Sequence, residues 1–88
     1  MANRATATVE RIYVRADPEA GALIRLAIPA SEAPLDGYFR LELDHPNYFA
    51  LYSLALSAAI NRYPLQIRTT AEINSAETAL VSYMVVDW

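Results

Sequence analysis

The stretch from Asp44 to Thr70, DHPNYFALYSLALSAAINRYPLQIRTT, decides how the chain folds: it reads as one apolar helix that stops at a proline and passes straight into a strand. Asp44 or His45 is placed to cap it, and Pro46 suits the first helical position, where φ is preset and a missing N–H costs nothing. Pro64 ends it, because proline disfavours helical geometry at Tyr63 and cannot continue the ladder. Between these signals lie about seventeen residues, or roughly 25 Å of helix at 1.5 Å per residue.

Phe49, Tyr52, Leu56, Ile60 and Tyr63 share one face at i, i+3, i+7, i+11 and i+14. Leu51, Leu54, Ala55 and Ala58 widen the apolar arc beyond the roughly 100° that a single core contact requires. The helix is therefore expected to be covered on two sides. What remains is a narrow line of small groups, Ala50, Ser53, Ser57 and Asn61, which would let another backbone come close. Two readings fit: a helix packed on a symmetry mate, or a central helix inside a monomer with a thin solvated edge.

Working outward, residues 1–4 read as a frayed end. ATATVERIYVR, from Ala5 to Arg15, is rich in β-branched residues. Its apolar parity switches between Val9 and Ile12, which predicts a β-bulge at Glu10 and Arg11. Asp17-Pro18-Glu19-Ala20-Gly21 is a turn signature, with glycine where a positive φ is needed. Ala22 to Ile28 reads as a strand closed by Pro29, and 29–37 as a loop stiffened by two prolines. Tyr38 to Leu43 alternates, with Phe39, Leu41 and Leu43 inward. Beyond the helix, 65–70 forms a strand, 71–78 a polar loop, and Ala79 to Trp88 a strand apolar on both parities. Such a strand is central in the fold or lies at a subunit contact.

The order β-β-β-α-β-β predicts a mainly β, α+β fold in one domain, 1–88. Its form is an OB-like small barrel, or alternatively an open five-stranded antiparallel sheet backed by one helix. With 88 residues, no cysteine and 55% hydrophobic content, the chain holds more apolar surface than one small core absorbs, so self-association is expected.

The net charge is −3, with the seven arginines spread singly among ten acids and no basic stripe, which argues against nucleic acid. No apolar run reaches the roughly eighteen residues of a membrane span. MANRATATV lacks a signal-peptide core, so the chain is expected in the cytoplasm, or exported with its leader removed.

The run GYFRLELDHPNYFALYSLALSAAINRYPLQIR, followed by ALVSYMVVDW, resembles a diffuse family of small bacterial proteins, mostly exported and of unassigned function. The matching residues are His45, Pro46, Asn47 and Tyr48 at the helix start, then Leu54 to Ala59, Leu65 to Arg68 and Tyr83 to Val86. More distantly, the element order over residues 9–88 is similar to the B-subunits of AB-type toxins, of the subtilase-cytotoxin kind. That resemblance implies an OB fold, a ring of five and glycan binding. Where the small family often carries cysteine, this chain has Ile73 to Ser75, which removes the disulfide that the resemblance would imply. No glycan-binding residue carries over.

Chemistry is sparse. His45 beside Asp44, with Ser53 or Ser57, invites a triad reading, but a nucleophile needs a strained, exposed position and both serines sit in mid-helix. Asp36, Glu42 and Asp44 make at most an incidental calcium cluster, and neither Gly21 nor Gly37 opens a phosphate loop. No catalytic residue, metal ligand or cofactor is expected. The aromatic residues Tyr13, Tyr38 and Trp88 are the candidate ligand contacts, each pairing a flat apolar face with a polar tip.

The expected function is a non-enzymatic oligomeric binding or assembly module, resembling a toxin B-subunit, with a glycan-binding ring as its sharpest form. The competing class is a small acidic inhibitor or immunity-type protein that binds a basic protein partner. The residues expected at the oligomer contact are Ala50, Ser53, Leu54, Ser57, Ala58 and Asn61 on the helix, with Val81, Tyr83 and Val85 on the last strand.

Overall fold

The computed structural model describes residues 3–14 and 21–87. The described residues form six strands and one α-helix, with two single-turn 3-10 helices (Ala30–Glu32 and Leu35–Gly37) in the loop after β3: β1 (Arg4–Ala7), β2 (Val9–Val14), β3 (Ala22–Leu26), β4 (Phe39–Leu41), α1 (Tyr48–Asn61), β5 (Leu65–Thr69) and β6 (Ala79–Val86). The fold is α+β and mainly β, a six-stranded sheet in the order β1-β5-β6-β4-β3-β2 with one helix packed on it.

The sheet is open, as in the alternative reading, and no ladder between β1 and β2 closes it into a barrel. Its two edge strands are nevertheless consecutive in the chain, separated by Thr8 alone. One long segment bends at Thr8, so that its first half pairs with β5 and its second half with β3. The Thr8 carbonyl accepts from Ala27 N–H at 2.9 Å. The parity switch read at Glu10 is present as a register shift between Val9 and Arg11 against β3. The sheet is also not wholly antiparallel. β4 and β6 run parallel, with Phe39 opposite Ala79 and Arg40 opposite Leu80, and are joined by a crossover that contains α1 and β5.

Arg4 is part of a strand rather than of a frayed end, and the Asn3 carbonyl accepts from Thr69 N–H at 2.8 Å. The Asp17–Gly21 turn falls mostly outside the described residues, but Gly21 has φ 64, the left-handed value that glycine adopts without penalty. A Cβ there would run into the Leu41 carbonyl oxygen.

The core is built from alternate residues of β3, β4 and β5. Ile24, Phe39, Leu41, Leu65 and Ile67 are its largest fully buried side chains. Leu43, expected inward, lies beyond the end of β4 and is exposed. Ile73, in a loop that reads as polar, is buried and plugs the core. Along β6 the register shifts between Thr69↔Val81 and Arg68↔Tyr83, leaving Ser82 as the bulged residue. That extra residue explains why Val81 and Met84, three apart, both face inward.

The helix is shorter than the sequence suggests. It starts at Tyr48, with Asn47 as N-cap, and Pro46 lies in the preceding turn rather than at the first helical position. At its end, Arg62 adopts φ 60, and Tyr63 N–H reaches the Ala58 carbonyl at 3.0 Å while Arg62 N–H reaches Ala59 at 3.3 Å. This is a Schellman closure with arginine in the seat usually held by glycine.

Only one side of the helix is covered. Tyr48, Leu51, Ala55 and Ala58 are buried against the sheet. Phe49, Leu56, Ile60 and Tyr63, expected inward, are exposed, and Tyr52 is half-buried. The expectation of cover on two sides holds for one, the side with Leu51, Ala55 and Ala58, because nearly every helix position is apolar and periodicity carried little information there.

Candidate functional site

Two surfaces stand out: the outward face of β2–β3–β4, and the outward face of α1. On the sheet, inward Ile12, Ile24 and Phe39 alternate with outward Arg11, Tyr13, Arg25, Tyr38 and Arg40. The register then sets the neighbours. Arg11 lies opposite Arg25, and Tyr13 lies opposite Leu23, which in turn lies opposite Arg40.

The Tyr13 and Tyr38 rings sit 5.5 Å apart between centroids at an interplanar angle of 35°. Arg11 Nη1 donates to Tyr38 Oη at 3.1 Å, and the Arg25 guanidinium lies 5.6 Å from the Tyr38 ring centroid. The hydrogen bond from Arg11 holds the Tyr38 phenol below the usual tyrosine range. Its charge and that of Arg25 act in the same direction, and burial opposes them. Glu10 Oε1 lies 3.4 Å from Arg25 Nε, with both side chains about half exposed, so this ion pair adds little energy and is readily exchanged. Arg40 Nε is buried with no hydrogen-bond partner. Seen singly in sequence, three of the seven arginines are thus gathered on one face by strand register, a grouping that no linear spacing displays.

Of the candidate ligand contacts, the structure brings Tyr13 and Tyr38 together, and Trp88 lies outside the described residues. Of the candidate oligomer contacts, Ala50, Ser53, Ser57 and Asn61 are exposed in the single chain, as is Tyr83. Leu54 and Val85 are half-buried. Ala58 and Val81 are core residues, 1% and 4% exposed, and have almost no surface to offer a second chain.

His45 has a structural task. Its Nδ1 accepts from Asn47 N–H at 3.0 Å, so the ring proton sits on Nε2, which donates to the Ser82 carbonyl at 2.9 Å. The ring thereby caps the helix start and ties it to the bulge in β6. Among the described residues, no three His, Cys, Asp or Glu side chains converge as metal ligands, and no helix is long and apolar enough to cross a membrane.

No protein-family model, curated protein or solved structure matches the chain.

Proposed function

We propose that the chain is a non-enzymatic binding module that works as an assembly of copies and presents the outward face of β2–β3–β4 to its ligand. The observation that carries this reading is the cluster of Arg11, Tyr13, Arg25 and Tyr38, in which two aromatic faces lie beside two guanidinium groups at the surface. Tyrosine faces pack on the apolar side of a sugar ring, and arginine binds a carboxylate with two parallel hydrogen bonds. An acidic saccharide satisfies both. Its carboxylate would replace Glu10 at Arg25, a contact weak enough to exchange.

The acidic-inhibitor reading has less support, because the ordered polar cluster is cationic although the whole chain carries −3.

Backbone amide NMR during titration with an oligogalacturonate tests the ligand. A neutral oligosaccharide of equal length and a short single-stranded oligonucleotide run in parallel. The expected result is a set of shifts confined to β2–β4 with the acidic sugar alone, weakened about tenfold in Arg25→Ala. Equal shifts with the neutral sugar, tighter binding of the oligonucleotide, or shifts elsewhere would contradict the reading.

A further inference from the structure

The side of α1 opposite its buried stripe carries Phe49, Ala50, Ser53, Leu56, Ser57 and Ile60, all exposed. Phe49 is 79% and Ile60 72% exposed, and the helix has no charged residue from Tyr48 to Asn61. We propose that this face binds a second copy of the chain as a two-fold, antiparallel helix pair. The proposal rests on the reading that copies assemble, and it fixes how they do so.

Three features select a second copy. First, the face is self-complementary. Phe49 and Ile60 sit at its ends, with Ala50, Ser53, Leu56 and Ser57 between them, so turning one helix end over end places Phe49 against Ile60 of the other copy, and the bulky Leu56 against the small Ser53. A closed two-fold contact requires this kind of reciprocity.

Second, along the chain the nearest charged residues are Asp44 before the helix and Arg62 after it, both exposed, while Glu10 and Arg11 of β2 border the face beside Leu56 and Ile60. Antiparallel pairing brings each Arg62 toward the start of the other helix, near Asp44. It also sets the helix dipoles head to tail, whereas a parallel pair would oppose like charges.

Third, the size is adequate for a weak dimer. An exposed aromatic presents roughly 200 Å², so the face offers on the order of 500 Å² per copy and about 1,000 Å² per pair, the lower bound for a specific interface. The pair is therefore a reversible one.

The chain has no cysteine, so single-cysteine variants report on this geometry without interference. Phe49→Cys and Ile60→Cys replace exposed side chains and leave the core intact. Under mild oxidation, a mixture of the two should form a crossed disulfide dimer at least about tenfold faster than either variant alone, because a disulfide needs Cα atoms within about 7 Å. Self-linking of Phe49→Cys at an equal or higher rate would overturn the antiparallel pairing while leaving assembly standing. Cross-linking no faster than that of a Glu32→Cys variant, on an exposed loop away from α1, would overturn assembly through this face altogether.

Discussion

His45 shows how one side chain can serve two elements. Its ring accepts from the backbone at the start of α1 and donates to the carbonyl of the bulged Ser82. Removing a helix cap costs about 1 kcal/mol, and a lost hydrogen bond to a partly buried carbonyl costs about as much again. His45→Ala is thus expected to lower stability by about 2 kcal/mol in urea unfolding, with Asp44→Ala nearly neutral. A larger loss in Asp44→Ala than in His45→Ala would show that the cap is the aspartate. Tyr38 supplies a pH marker. Because Arg11 holds its phenol below the usual range, the folded state favours the phenolate. The resulting stabilisation is present above the unfolded tyrosine pKa and is lost as pH falls through the lower folded value. Ultraviolet difference titration should show one tyrosine ionising early, and Arg11→Gln should move it back up.

Helix α1 ends on a non-glycine residue in left-handed geometry, which costs an L-residue roughly 1 kcal/mol. Arg62→Gly should therefore raise stability by about 0.5–1 kcal/mol, measured as a higher urea midpoint at unchanged slope. A lower midpoint would mean that the Arg62 side chain makes a contact worth more than the strain. At Gly21 the opposite holds. Both the φ of 64 and the Leu41 carbonyl exclude a side chain, so Gly21→Ala should destabilise by more than about 2 kcal/mol.

These elements also show how far the sequence could be read. The alternation of Phe39 and Leu41, the bulge near Glu10 and the positive φ at Gly21 were legible, because each is a local steric or parity signal, whereas the helix ends at Asn61, ahead of the stop read at Pro64, because Arg62 takes the left-handed seat. The buried side of the helix was not legible, since leucine, tyrosine and alanine lie all around it and only the tertiary contact chooses a stripe. The inward turn of Ile73 and the grouping of Arg11, Arg25 and Arg40 were likewise hidden. Both depend on which strands become neighbours, a property of register and not of spacing.

At the scale of the molecule, the bent β1–β2 segment supplies both edges of the sheet, and α1 covers the core with one side. The chain thereby closes its interior with Phe39, Leu41 and Ile67 and leaves two surfaces to act, one cationic and aromatic, one apolar and uncharged. The pairing of Tyr13 with Tyr38 is a product of the sheet. The open ladder was legible only as an alternative, because β-strand order does not reveal whether the two edges bond to each other. Sedimentation equilibrium of the intact chain, from about 10 μM to about 1 mM as suits a weak interface, tests the central claim most directly. The account predicts a mass rising reversibly from 9.8 kDa toward twice that value, with Ile60→Asp folded and held at 9.8 kDa. A single 9.8 kDa species throughout, or a variant that assembles as well as the parent chain, would contradict it.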